Sequence, residues 1–297
     1  MNSITETTIF DYMEIEILGD LERLQLCLDN VEDDELCLAL ETTRKNGRDD
    51  FPVRVMLNLT YAMKVFGHRG VASLRRELSR NPSLRKMCGL KDEDYLYLGK
   101  RKSLVPEARV FTNFFKNLVN HQELLDKIMA DNVMYMYENL EDFGEDCAYD
   151  GKILETYAKK NGKGDNDLRK EHEATHTCKS YQLKNGTKKK TWYFGYRDHI
   201  LCCAKYGLPI WHKLETASIN EQTVLDDMIE ELSINKKYIL EKMNNLIADA
   251  GYDNGKRNVE LKEEYNINPI IDTRHLWKEE EFREVENKPL AYPEFSE

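Results

Sequence analysis

The sequence lacks several features that would place it in a familiar class. It has no run of 18 apolar residues, which excludes a membrane-spanning helix. Its N-terminus has no basic segment followed by an apolar one, so we expect no signal peptide. The seven cysteines are an odd number and form no CxxC motif, which predicts reduced thiols in a cytoplasmic protein. A hydrophobic content of 41% over 297 residues is enough for one large domain or two ordinary ones.

Charge is unevenly distributed along the chain. The net charge of −11 by itself disfavours a nucleic-acid partner. However, residues 53–105 carry a net +8 and residues 159–190 a net +6, whereas residues 1–50 carry −10. Local basic zones matter more for phosphate binding than the total charge does. Solvated helix faces would give the same counts, so both interpretations stay open.

The pattern of apolar residues predicts three parts. Residues 1–50 are acidic and weakly patterned, and we expect a peripheral helical arm in which LERLQLCL offers a short apolar face. Residues 51–145 predict short helices separated by tight turns. In one of them Leu74 and Leu78 face a core while three arginines point outward: Arg75, Arg76 and Arg80. Such a segment is typical of a helix-turn-helix DNA-binding domain, and a purely structural helical bundle would look similar.

Residues 146–297 alternate between strand and helix patterns, which predicts an α/β domain. CAYDGKIL and the aromatic TWYFGYR read as strands, and residues 159–190 between them as a basic loop or hairpin. We expect a helix after Asn220, a good N-cap, with Val224, Met228 and Leu232 facing inward. NNLIAD and INPIIDT predict two further strands, with a helix between them.

Two acids follow apolar strand segments. Asp150 ends AYD before a glycine, and Asp249 ends LIAD before an alanine. Strand ends of an α/β sheet are where sites form, and paired carboxylates repel each other unless a cation joins them. A hard divalent ion such as Mg²⁺ fits such a pair. The alternative is that both residues are ordinary turn or cap aspartates.

The amino-acid sequence around these acids resembles that of DDE transposases of the insertion-sequence IS4 superfamily, the IS1182-like branch in particular. LIADAGYD resembles the second-acid motif, AYDGKIL the first-acid strand, and WYFGYRDHI with GLPIWHKLETASIN the strands between them. FPVRVMLNLTYAMKVFGHRGVASLRREL resembles the helical N-terminal domain of the same family. The resemblance is collinear over roughly residues 51–275.

The resemblance implies an RNase H-like catalytic fold preceded by an all-helical domain. Asp150 and Asp249 would bind two Mg²⁺ or Mn²⁺ ions, and water and then a freed 3′-hydroxyl would attack phosphodiesters. The partner would be double-stranded DNA, both transposon ends and target, bound by a homodimer in a bacterial or archaeal cell. Phosphate contacts would come from six residues of the basic zones and from one arginine of the aromatic strand that follows: Arg75, Arg76, Arg80, Lys188, Lys189, Lys190 and Arg197.

One family feature is missing. The family places a third acid, a glutamate, on a helix after the last strand, and no Tyr-x2-Arg-x3-Glu-x6-Lys pattern occurs here. Four glutamates remain in the charged run near the C-terminus: Glu279, Glu280, Glu281 and Glu284. We interpret the chain as a transposase truncated before the third acid. The glutamate could come from a separate chain, or the protein could be a non-catalytic DNA-binding remnant that regulates transposition.

The segment EHEATHTC gives a competing motif. His172 and His176 have the HExxH spacing of a zinc protease, and Cys178 could add a third ligand. The motif needs an apolar helix, whereas this segment is hydrophilic and contains Thr175 and Thr177. We therefore expect a loop histidine pair near DNA, or one that is simply exposed, and not a zinc site.

Overall fold

The computed structural model describes residues 19–44, 51–90, 104–156, 158, 172–182, 187–272, 284–285 and 288–289. The chain divides into two compact units, Met1–Asn132 and Val133–Glu297. The sequence had suggested a division between 145 and 146, after the last helix of the N-terminal part. Within the described part of the chain, no helix is long and apolar enough to cross a membrane.

The N-terminal unit is helical. Its elements are α1 (Asp20–Asn30), α2 (Asp34–Thr43), α3 (Val53–Val65), α4 (Val71–Arg80), α5 (Pro82–Met87), α6 (Ala108–Leu118), a 3₁₀ turn (Val119–His121) and α7 (Gln122–Asn139), which runs past the division. The start of α5 is fixed by Asn81, whose side chain accepts a hydrogen bond from the Leu84 backbone N–H, and by Pro82 in the first turn. The predicted short helices over 53–87 are confirmed.

The core of this unit includes the segment that the sequence suggested was a peripheral arm. Leu24 of α1 and Leu40 of α2 are fully buried in the same cluster as Leu59, Leu74 and Phe111. Leucine spacing along α1 and α2 gives each helix an apolar stripe, and burial of that stripe stabilises the unit. Residues 19–44 are therefore an integral part of the helical unit.

The C-terminal unit is built on a six-stranded mixed sheet. Its strands are β1 (Asp146–Glu155), β2 (Thr175–Gln182), β3 (Lys188–Cys203), β4 (Leu208–Thr216), β5 (Asn245–Ala248) and β6 (Asn268–Ile271). The order is β2-β3-β1-β5-β6, and β4 also pairs with β3. Strand β3 pairs antiparallel with β1 and with β4. Strand β5 is parallel to β1, and β6 is parallel to β5. A separate pair, β7 (Glu284–Val285) and β8 (Lys288–Pro289), follows.

Three helices complete this unit: α8 (Glu221–Asn235), α9 (Lys237–Lys242) and α10 (Gly255–Glu264). The predicted N-cap of α8 is confirmed, because the Asn220 side chain accepts a hydrogen bond from the Gln222 backbone N–H. Val224, Met228 and Leu232 are fully buried, as their spacing predicted. The predicted hairpin in the basic segment is also confirmed over its described strands, 175–182 and 188–190.

The two faces of the sheet differ. One face, which we call the covered face, includes Tyr149, Leu201 and Trp211, all at most 3% exposed. Helix α8 lies over it, since Glu221 pairs with Arg197 and Asp227 with Lys213. The other face, which we call the open face, carries side chains that are exposed or half-buried: Ala148, Asp150, Lys152, Leu154, Asp198, Ile200, His212, Leu214, Ile247 and Ile270.

Candidate active site

Asp150 and Asp249 lie on adjacent parallel strands. Pairing of β1 with β5 brings Asp146 opposite Asn245 and Ala148 opposite Ile247. The same register, continued by two residues, brings Asp150 beside Asp249, and neighbouring strands are about 4.8 Å apart. Both side chains are exposed. The two acids singled out from sequence are therefore neighbours at the carboxyl end of β5.

The position of Asp150 within its strand differs from the sequence interpretation. The sequence suggested that the strand ends at Asp150, but β1 continues to Glu155. The reason is the long strand β3, which pairs with β1 as far as Glu155 and Gly195. Because side chains alternate along a strand, Asp150 points to the open face while its neighbours Tyr149 and Gly151 are buried on the covered face.

Each carboxylate uses one oxygen in a local hydrogen bond. The Oδ1 atom of Asp150 accepts from the Gly151 backbone N–H at 2.7 Å. The Oδ1 atom of Asp249 accepts from the Gly251 backbone N–H at 2.7 Å and caps the 3₁₀ turn Ala250–Tyr252. Asp249 is thus a capping aspartate, as the alternative interpretation held. A carboxylate has two oxygens, so capping through Oδ1 is compatible with cation binding.

Directly behind Asp150, the covered face is tightly packed. A Cβ atom placed on Gly151 would lie 2.9 Å from Cδ of Arg197 and 3.3 Å from Oη of Tyr252. Tyr252 is fully buried, and its ring packs edge-on against Tyr149 with centroids 5.1 Å apart. Burial raises the pKa of Tyr252, and the negative charges of the nearby Asp150 and Asp249 add to the rise. Because residue 151 is a glycine, the large side chains of Arg197 and Tyr252 can pack on the covered face, on the opposite side of the sheet from the two acids.

The turn that follows Asp249 is fixed to α8. The buried Arg257 guanidinium donates to the Tyr252 carbonyl at 3.0 Å and to the Gln222 carbonyl at 2.9 Å, and it also pairs with Asp226. The Gln222 side-chain amide donates to the Gly251 carbonyl at 3.0 Å. These contacts join residues about thirty positions apart, which is why sequence spacing did not reveal them. They hold the second acid in a defined position.

A third acid next to these two is not evident among the described residues. Glu279, Glu280 and Glu281 lie outside them, and only the backbone of Glu284 is described. The register of β5 with β6 brings Asp272 beside Asp249, an arrangement that sequence reasoning missed. Even so, the described residues contain no group of three or more His, Cys, Asp or Glu side chains placed to hold a metal ion. The acid pair offers hard oxygen ligands, which suit Mg²⁺ or Mn²⁺ with water completing the coordination.

The HExxH segment does not form a zinc-protease helix. Residues Thr175–Gln182 are strand β2, and residues 172–174 precede it without helical structure. The ring of His176 packs against Phe194 at a centroid distance of 4.7 Å. Because the two histidines are not on one face of a helix, the zinc-protease interpretation does not hold.

The three arginines of the N-terminal unit that were predicted to contact DNA lie on α4. Arg76 is exposed, and the Arg80 side chain is 73% exposed and pairs with Glu77 at 3.1 Å. Arg75 is half-buried and donates from Nε to the Pro106 carbonyl at 2.8 Å. Arg75 and Arg76 line an open cavity of about 580 Å³. Arg76 and Arg80 are therefore available to a phosphate, and Arg75 is partly engaged within the protein.

The basic residues of the C-terminal unit separate into two groups. Lys188, Lys189 and Lys190 begin β3, and the side chains of Lys189 and Lys190 are exposed. Arg197 was expected to contact DNA, but it is only 4% exposed and its guanidinium pairs with Glu221. Burial lowers its pKa, while nearby Tyr252 and Asp150 act in the opposite direction. Arg197 belongs to the packing behind the acids, and we leave it out of the DNA-contacting set.

Comparison with protein families gives one match in this region. Residues 145–291 match a family model described as "Transposase DDE domain". The match covers just under half of the chain, includes Asp150 and Asp249, and supports a DDE transposase domain in the C-terminal unit. Neither a curated protein nor a solved structure matches this chain.

Proposed function

We propose that this protein carries out DNA transposition, cutting and joining phosphodiesters at the ends of a mobile element. The observation that carries the proposal is the neighbouring position of Asp150 and Asp249 on parallel strands, within a segment that matches the transposase DDE family model. DDE transposase domains generally use divalent metal ions. The assignment to the IS4 superfamily and its IS1182-like branch rests on the motifs LIADAGYD and WYFGYRDHI.

The topology is compatible with an RNase H-like fold. Three antiparallel strands, β1, β3 and β4, are followed by two strands parallel to β1, with β1 in the middle of the sheet. Strand β2 is an addition to this arrangement, contributed by the basic segment. In this sheet the carboxyl end of β5 lies beside the middle of β1, near the centre of the sheet, which favours a site at that point.

In the proposed mechanism the two acids bind and orient divalent ions on the open face. Such ions, when bound, activate the attacking oxygen and stabilise the leaving oxygen of a phosphodiester. Asp249 is positioned by hydrogen bonds between α8 and the turn that follows it. Asp150 is positioned by the side chains that pack against Gly151 on the covered face. The DNA backbone would be held by Arg76, Arg80, Lys189 and Lys190, whose charges are exposed. We also propose a homodimer as the form that acts on two ends.

The test is cleavage of labelled DNA that carries the sequence flanking the gene, with Mg²⁺ or Mn²⁺. We expect nicking by the wild-type chain and none by Asp150→Asn or Asp249→Asn, with DNA binding retained in both. Asp146→Asn is the matched control, because it removes an acid from the same strand and the same face, where Asp146 accepts from Asn245 at 2.6 Å. Nicking that persists in either site variant would overturn the assignment of these residues.

A second candidate is a DNA-binding regulator of transposition without its own activity. The described residues show two neighbouring acids and no third metal-ligating side chain grouped with them, which favours this alternative. It predicts specific binding to the same DNA with no metal-dependent nicking by the wild-type chain. Nicking that depends on both Asp249 and Asp272 would instead assign Asp272 to the site.

A further inference from the structure

The basic hairpin carries an exposed tryptophan. Trp192 of β3 is 62% exposed, whereas Phe194, two residues further along the same strand, is 1% exposed. The chain buries Trp211 of the neighbouring strand β4 to 3% exposure. Single exposed apolar side chains are common on protein surfaces, so the exposure of Trp192 has to be interpreted from its surroundings.

The surroundings of Trp192 indicate the chemistry of that partner. Lys190 lies two residues before Trp192 on the same side of β3, and both side chains are exposed. Across the strand pair, Cys178 lies opposite Trp192 and Ser180 lies opposite Lys190. Lys179 and Lys189 point to the other side and are exposed as well. The ring therefore lies in a strip of lysines that face solvent on both sides of the hairpin.

The charge of the hairpin is of one sign. Residues 174–182 and 187–196 contain four lysines, Lys179 and Lys188–Lys190, and no aspartate or glutamate, in a chain whose net charge is −11. A protein partner with an apolar patch would not need this uniform positive charge, whereas a polyanion would. An aromatic ring next to lysines is the arrangement by which proteins stack an unpaired base while holding its backbone.

We propose that Trp192 stacks on an unpaired nucleobase of bound DNA, while Lys190, on the same side of β3, holds an adjacent phosphate. The proposal rests on the proposed function, because it specifies which DNA structure that function engages. An intact duplex keeps its bases stacked on each other and offers Trp192 no ring face. The hairpin would therefore favour DNA that is nicked, mismatched or splayed over continuous duplex.

The test compares two probes that differ only at one position. One is a short continuous duplex, and the other is the same duplex with a single bulged base. We expect the full-length protein to prefer the bulged probe and Trp192→Ala to lose about tenfold in affinity for it, with little change on the duplex. Trp192→Phe should keep most of the preference, because phenylalanine also stacks. Lys190→Ala should lower the affinity for both probes by a similar factor and reduce the salt dependence of binding.

Fluorescence gives a second readout. Stacking on a base should quench the emission of Trp192, and this part of the quenching should disappear in Trp192→Phe although binding persists. Equal loss of affinity for both probes in Trp192→Ala, or no loss at all, would overturn the stacking role. Failure of the wild-type chain to bind either probe would instead count against the proposed function itself.

Discussion

The two faces of the sheet in the C-terminal unit treat charge in opposite ways. On the covered face, Arg197 is buried and paired with Glu221, and Lys213 is paired with Asp227 of α8. On the open face, Asp150 and Asp249 are neighbours of like charge. Arg197 and Lys213 on the covered face each have a carboxylate partner, whereas the repulsion between the two acids on the open face would be relieved by a bound cation.

Stability and function lie on different faces of the sheet in this unit. Two like charges side by side on neighbouring strands are unfavourable, so the open face is not optimised for folding. The covered face holds the acids in place through Gly151, Tyr252 and Arg257. We expect substitutions on the covered face to change stability and substitutions of the acid pair to change metal and DNA chemistry.

The largest expected effect compares one leucine from each face. Leu201 is fully buried on the covered face, whereas Leu214 on the open face is 54% exposed. Leu201→Ala should lower the free energy of unfolding by about 2–5 kcal/mol because it leaves a cavity. Leu214→Ala should change it by less than about 0.5 kcal/mol. Urea unfolding followed by fluorescence measures this unit alone, since all three tryptophans lie within it: Trp192, Trp211 and Trp277. A similar cost for both variants would mean that the open face is covered.

The next effect concerns His199, which is fully buried on the covered face. Burial lowers the pKa of His199 to about 4, and the nearby charge of Arg197 contributes. The unfolded chain, with a pKa of about 6.5, takes up this proton first as the pH falls. Stability should therefore be complete above pH 6.5 and decrease towards pH 4, by up to about 3 kcal/mol.

The wild-type chain is the reference for this effect. His199→Gln should flatten the decrease in unfolding free energy between pH 6.5 and 4, because it removes the imidazole that burial keeps neutral. Urea midpoints at several pH values measure both chains. Parallel curves for the variant and the wild type would show that His199 is not the group responsible.

A smaller effect is expected at Gly151. Alanine there would press against Arg197 and Tyr252, which have to shift, at a cost of about 1–3 kcal/mol. Gly255→Ala, at the start of α10, meets open space and should be neutral or slightly stabilising. Urea unfolding of both variants checks the prediction. Equal stability would mean that the packing behind Asp150 is loose.

Local features of the fold could be predicted from the sequence, because they depend on neighbouring residues. The helix after Asn220 follows from its cap and from the spacing of Val224 and Met228, and both are confirmed. Leucine spacing in residues 20–43 also indicated helices, but their burial depends on α3 and α6, which are distant in sequence. A short acidic segment therefore looked peripheral although it supplies part of the core.

Features of the site that depend on distant contacts could not be predicted in this way. The pairing of Asp150 with Asp249 joins residues 99 positions apart; their strand-end positions left it open against ordinary capping aspartates, and the family resemblance favoured it. Arg197 looked like a DNA contact because charge counts ignore which side of a strand a residue occupies. Its burial follows from strand alternation and from Glu221 of α8, which lies over that side. The extension of β1 beyond Asp150 likewise depends on the length of β3.

The smallest effect on stability is expected at the acid pair itself. Asp249→Asn keeps a side-chain oxygen for the cap to Gly251 but removes one of two neighbouring charges. At low salt and without divalent ions it should raise the free energy of unfolding by about 0.5 kcal/mol.

Millimolar Mg²⁺ should stabilise the wild-type chain, because a ligand that binds only the folded state favours it, and should have no such effect on Asp249→Asn. Glu155→Gln, which removes an exposed acid from the same strand as Asp150, should respond to Mg²⁺ as the wild type does. Thermal and urea unfolding with and without Mg²⁺ measure both differences. A Mg²⁺ response that survives in Asp249→Asn would place the cation elsewhere and leave the two acids as ordinary surface residues.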